Sequence, residues 1–161
     1  MPTGRREESD ERGGWFDRLV PSALAIAALS VEIRAPEAIP LGEPRTFYVV
    51  VRNRLPVPVT VSTPTSRLWG WEVDGIREAD RRSFSPPETE RRVRFAGFER
   101  KAFEASWDGR ICEESASGTV WTDAPGTHSL TGYVAVENWE DRGLVAETEV
   151  RVVEPDGAHQ E

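Results

Sequence analysis

Cysteine, methionine, lysine and histidine are nearly missing from this 161-residue chain, which has one Cys, one Met, one Lys and two His. The single thiol, Cys112, excludes an internal disulfide. Glu113 and Glu114 follow it, whereas a nucleophilic thiolate needs cationic neighbours. His128, His159 and Cys112 are the only nitrogen or sulfur ligands, and His159 sits in the tail. They do not make a zinc set, and no Asp/Gly run has calcium-loop spacing. The expectation is no metal and no cofactor.

Long apolar runs are lacking too. Leu19 to Val31, LVPSALAIAALSV, is too short to span a bilayer. It imitates the core of a secretion signal, with Ala25-Ile26-Ala27 as a cleavage site. The 18 residues before it hold four Arg against five Asp/Glu, so the positive leader of a signal is missing. Arg5-Arg6 runs into Glu7-Glu8, unlike a twin-arginine signal. A cytoplasmic chain with no membrane partner is expected.

What is present is acid. There are 28 Asp+Glu against 20 Lys+Arg, for a net charge of -8 and a pI near 4.9. Phosphate binding needs a cationic surface, so a nucleic-acid partner is not expected. The cations are 19 Arg and Lys101. An acidic surface almost free of Lys suits a high-salt cytoplasm, where salt screens self-repulsion. A GC-rich genome favouring Arg codons is the alternative source of that bias.

The length bounds one domain with tails. Residues 1–14, MPTGRREESDERGG, read as a disordered leader, 15–153 as the domain and 154–161 as a frayed tail. WFDRLV (15–20) is the one helical turn expected. Elsewhere the dominant period is two. LSVEIR (29–34) alternates, and if 24–34 is one strand a bulge near Ala28 must shift its phase. RTFYVVVRN (45–53) alternates with Phe47, Val49 and Val51 on one face. PVPVTVST (56–63) is limited to an edge by its prolines. In RLWGWEVDG (67–75), Trp69, Trp71 and Val73 share a face, and Asp74-Gly75 supplies a hairpin turn. At least one of the two tryptophans belongs in the core. RVRF (92–95) and KAFEASW (101–107) flank a turn at Gly97, and 108–127 reads as loop. SLTGYVAVE (129–137) and LVAETEVRVV (144–153) complete an antiparallel β-sandwich.

Several pieces resemble the intracellular proteinase inhibitor (BsuPI-like) family. They are VRNRLPVPVTV (51–61), WGWEVDG (69–75) followed by Phe84, FEASWDG (103–109), and APGTHSLTGYVAVE (124–137). The resemblance covers about residues 30–153. It implies an all-β, immunoglobulin-like antiparallel β-sandwich, expected here with about seven to nine strands. One departure stands out. The family's Tyr two residues after the Gly of its Pro-Gly turn is here His128. The chain also resembles small haloarchaeal proteins that begin with WFDRLVPS, here Trp15 to Ser22.

Function is thinner. His128 neighbours Ser129, but adjacent strand residues point to opposite faces and cannot pair as base and nucleophile. An enzyme is not expected. The expectation is a non-catalytic protein-binding module with loops 62–67, 85–91 and 108–127 available for contacts. Tyr48, Trp121, Tyr133, Trp139 and Phe84 are its candidate interaction surface, being aromatics that the core does not absorb. Two alternatives stand beside it. One is a structural or assembly domain. The other, implied by resemblance, is inhibition of a serine peptidase, which would then be the partner. RICEESASGTVWTDAPG (110–126) and RRSFSPPETERR (81–92) are its candidate loops.

Overall fold

The first described element already departs from the alternation. A computed structural model of the chain describes residues 21–77 and 87–156. The leader, the helical turn expected at 15–20, and Phe84 lie outside them. Ser22–Ala28 forms a helix, α1, where a bulged strand is expected. Its sequence, SALAIAA, is rich in the best helix formers. Ala25 and Ala28, three apart, are buried on one side of it. The phase change at Ala28 is therefore a helix–strand junction.

Twelve strands follow among the described residues. They are β1 (Leu29–Arg34), β2 (Ala38–Pro40), β3 (Arg45–Asn53), β4 (Val59–Thr63), β5 (Trp69–Val73) and β6 (Ile76–Arg77). After the undescribed gap come β7 (Arg91–Phe95), β8 (Arg100–Trp107), β9 (Arg110–Ser115), β10 (Gly118–Asp123), β11 (Gly126–Val134) and β12 (Val145–Val153). One sheet has the order β1-β3-β8 and the other β2-β12-β11-β5-β6, with β4-β7 and β9-β10 as two-stranded pieces. All pairings are antiparallel except β2 with β12. This is an immunoglobulin-like sandwich. β1, β3 and β8 stand for its first, second and fifth strands, and β5, β11 and β12 for its third and last two. The count exceeds nine partly because β2 and β6 are fragments of three and two residues. The segment 108–127, expected as loop, also holds the β9–β10 hairpin.

β3 and β4 are two halves of one long strand, and β8 and β7 are its partner. Arg45 pairs with Trp107 and Arg52 with Arg100. Beyond the break, Val59 pairs with Phe95 and Thr63 with Arg91. Asn53, fully buried, closes the gap. Its Nδ2 donates to the carbonyls of Val57 at 2.8 Å and Ala96 at 3.0 Å, and its Oδ1 accepts the Leu55 amide at 3.0 Å. Gly97 packs so tightly there that a Cβ would come within 2.1 Å of the Pro56 carbonyl oxygen.

Two apolar clusters fill the sandwich. Phe47, Trp71, Trp107, Leu130 and Val150 form one. Val51, Val61, Phe95, Val134 and Leu144 form the other, closed by Ala25 and Ala28 of α1. Trp71 meets Phe47 edge-on at 5.1 Å, and Trp69 stacks on Phe103 at 5.3 Å. Both tryptophans of the WGW stretch are thus packing residues, Trp69 less deeply than Trp71. No described helix is long and apolar enough to cross a membrane.

Candidate functional site: an arginine-lined sheet face

In β3 and β8 the odd-numbered residues from Phe47 to Val51 and from Phe103 to Trp107 turn toward the core, so the even-numbered ones face out. The register then sets them in rows. Ser30, Arg52 and Arg100 form the first, Glu32, Val50 and Ala102 the second, and Arg34, Tyr48 and Glu104 the third. Thr46 and Ser106 form the fourth. The same parity continues into the β4–β7 half, where Thr60 pairs with Arg94 and Ser62 with Arg92. Five arginines thus share this face with two glutamates, on a chain of net charge -8. Arg34 holds Glu32 at 3.0 Å. That hydrogen bond and the Arg34 and Arg100 charges hold the Glu32 carboxyl below the usual range. Tyr48 stands in the middle, 42% exposed. Val50 beside it faces outward but is buried.

The face ends in a cleft beneath the β9–β10 hairpin. The cleft has a volume of about 300 Å³ and is lined by Pro44, Ser106, Trp107, Asp108, Arg110 and Trp121. Trp121 is 44% exposed and lies opposite Cys112 across the hairpin. Several polar groups here are already engaged. The Trp107 indole N–H donates to the Arg110 carbonyl at 2.8 Å, and Asp108 accepts the Arg110 amide at 3.1 Å. The Arg110 guanidinium sits 3.3 Å from Asp123. Ser106 belongs both to the cleft and to the last row of the face, so cleft and face are continuous.

Of the aromatics singled out in the sequence, Tyr48 and Trp121 therefore lie along one surface. Tyr133 and Trp139 meet each other instead, stacked at 4.1 Å on the outside of the second sheet. Tyr133 is buried there. It pairs with Gly70, where a Cβ would come within 2.4 Å of its hydroxyl oxygen. Phe84 lies outside the described residues.

The sequence from residue 17 to 153 matches the model of a family described as a family of unknown function, DUF7974. The chain belongs to this family. Its sandwich has the fold that the inhibitor resemblance implies, but the matching model is DUF7974 and not that of the proteinase inhibitors. No curated protein matches the DUF7974 chain. A solved CARDB domain of a Pyrococcus furiosus protein, in complex with di-metal ions, is similar at 18% identity, over 79% of this chain and 94% of that one, with a TM-score of 0.49. A β-glucosidase from Listeria innocua in complex with glucose is similar at 14% identity, over 77% of this chain and 16% of the enzyme, with a TM-score of 0.45. At such identities and scores, neither likeness carries a ligand or an activity across. Among the described residues, no three of His, Cys, Asp and Glu are grouped to hold a metal ion.

His128, which stands where the resemblance places a Tyr, is a brace in this DUF7974 domain. Its Nδ1 lies 2.6 Å from Asp74 Oδ2 and its Nε2 lies 2.7 Å from the Ala124 carbonyl. The two ring nitrogens thus each face an oxygen acceptor. The Ser129 amide donates to the other Asp74 oxygen at 2.8 Å. Burial alone would raise the Asp74 carboxyl. The hydrogen bonds from His128 and Ser129, with the His128 charge, outweigh it and hold the carboxyl low. The ring thereby ties the β5–β6 turn to the entrance of β11, and Nε2 meets a backbone carbonyl rather than a hydroxyl. The arginines are what the sequence reading missed. They are scattered from position 34 to 100, and strand parity combined with register is the signal that unites them.

Proposed function

We propose that this domain is a non-catalytic protein-binding module whose contact surface is the outer face of the β1-β3-β8 sheet. One observation carries the reading. A chain with eight more acids than bases gathers three arginines against two glutamates around an exposed tyrosine on this sheet, with two more arginines on the adjoining β4–β7 ribbon. Arginine and tyrosine are the side chains most enriched where interfaces hold their energy. Opposite charge on a partner raises the encounter rate and suppresses wrong partners. A cytoplasmic, high-salt setting accords with this reading. Screening there mutes the long-range field and leaves short-range pairing to do the selecting.

The test is capture of partners from native cytosol with the full chain, with Arg52→Glu/Arg100→Glu, and with Arg151→Glu on the opposite sheet. Loss of the captured protein with the double variant, and retention with Arg151→Glu, is the expected result. Equal capture by all three would overturn the reading. Capture of a peptidase whose activity falls stoichiometrically would move the assignment to an inhibitor. Against that outcome, residues 110–126 are mostly a hairpin and not an extended strap.

A further inference from the structure

The face and the cleft beside it differ in chemistry, and the difference specifies what would lie across both. The cleft presents the exposed Trp121 and Pro44, with the buried Trp107 behind them, while the Trp107 N–H, Asp108 Oδ1 and Arg110 Nε are already bonded. A charged side chain entering it would displace bonds already made, whereas an apolar one leaves them intact and hides the exposed Trp121. A volume near 300 Å³ is at the lower end of ligand pockets and suits a single large side chain. The far end of the face is the opposite. Arg52 and Arg100 are paired in one row, and Arg94 and Arg92 follow beyond the break in the ribbon. From Ser106 at the cleft to Arg100 is six residues of β8, or roughly 20 Å.

Building on the reading that this face is the contact surface, we infer that its partner is an extended acidic polypeptide segment with one large apolar anchor. The anchor sits in the cleft against Trp121. A cluster of carboxylates about six residues away lies over Arg52 and Arg100. Charge complementarity selects the acidic chemistry, since arginines form paired hydrogen bonds with carboxylates. It also disfavours a nucleic acid. Glu32 and Glu104 interrupt the face, and a continuous phosphate track would have to cross both, while separate carboxylates can be spaced to avoid them.

The experiment uses the full chain in the lowest salt that preserves its fold, with fluorescence anisotropy of labelled synthetic peptides. The probe is a twelve-residue peptide with a Phe near one end and four Glu starting about six residues away, made in both orders. Controls replace Phe by Ala, replace Glu by Gln, or move the Phe into the acidic run, and a single-stranded oligonucleotide of equal charge is included. One order of the probe should bind. Affinity should fall at least tenfold with the Ala peptide, the Gln peptide or the moved Phe, and equally with Trp121→Ala or Arg52→Glu/Arg100→Glu. Equal affinity for the moved-Phe peptide would overturn the anchored geometry, and tighter binding of the oligonucleotide would overturn the partner class. If no peptide binds while Arg52→Glu/Arg100→Glu still abolishes cytosolic capture, the acidic-segment inference fails and the contact face stands. If that variant changes neither, both fail. Circular dichroism of Trp121→Ala and the arginine variants checks that each keeps the fold.

Discussion

Two tyrosines point away from the core of this sandwich, one from each sheet, and meet opposite fates. Tyr133, on the second sheet, lies across Gly70 and beneath Trp139 and is 3% exposed. Tyr48, on the first, is 42% exposed amid arginines. Glutamates on the two faces differ in the same way. Glu32, in the open with Arg34 and Arg100, has its carboxyl held low. Glu72 has its carboxyl pushed up by burial, against the pull of Arg77 and with help from nearby Glu140. The second sheet's outer face is covered around Tyr133 by Trp139 of its own loop, and the first is left polar and open. Parity in a strand decides which way a side chain points. What covers it is decided elsewhere.

The largest effect should separate the tyrosines. Tyr133→Ala removes a buried ring and strands Trp139, costing about 3–4 kcal/mol in denaturant unfolding. Tyr48→Ala should change stability by no more than about 0.5 kcal/mol while weakening partner capture. Similar stability losses at the two positions would erase the contrast.

Gly70→Ala is the next in size. Its Cβ would meet the Tyr133 ring and hydroxyl, so the ring must lift off the sheet, at about 1–3 kcal/mol. A neutral or stabilising outcome, measured by the same unfolding curves, would mean that the stack yields easily.

The glutamates sharpen the comparison by sign. Glu72 is shifted upward, so its contribution is fully present below the ordinary carboxylate range and lost as pH rises through its raised pKa. Glu72→Gln should therefore raise the unfolding midpoint at neutral pH and match the parent in acid. Glu32 is shifted downward, so its contribution is present above that range and lost as pH falls. Glu32→Gln should lower the midpoint slightly at neutral pH, with the two converging in acid. Shifts of the same sign in a pH series would contradict the difference between the faces.

The smallest effect per charge is electrostatic screening. With 28 acids against 20 bases, lowering the salt should lower the melting temperature. Arg52→Glu/Arg100→Glu should deepen that fall, because it removes cations from the one face where they collect. A melting temperature indifferent to salt would set aside the high-salt reading of the composition.

Much of the fold could be read from alternation. β3, β5, β11 and β12 lie where period two places them. Asp74 and Gly75 take the positive φ values, 49° and 80°, that their turn requires. The helix α1 was not legible. In SALAIAA the residues Leu24, Ile26 and Ala28 alternate as in a strand, and Ala25 and Ala28 recur as in a helix. Only packing against β4 selects between them. The β9–β10 hairpin escaped because most of its side chains stand outside both apolar clusters, so burial wrote little pattern into it. At the site, the outward parity of Tyr48 and Tyr133 was legible, and their different exposure was not. Trp139 comes from a loop. Gly70 was the available hint, since a glycine inside a strand often marks close approach by another group.

The break in the long ribbon has a consequence for how this chain finds its fold. Residue numbers sum to 152 for every pair across β3 and β8 and to 154 for every pair across β4 and β7. The two halves are thus out of step by two. A one-residue slip would turn the apolar side chains outward and be rejected at once. A two-residue slip keeps every side chain on its proper face, so hydrophobic burial alone scarcely opposes it. What tells the chain which of the two registers it occupies is the set of bonds at the break, Asn53 to Val57 and Ala96, with the Gly97 backbone against Pro56. Asn53 thereby marks the native register by bonds that a two-residue slip would break.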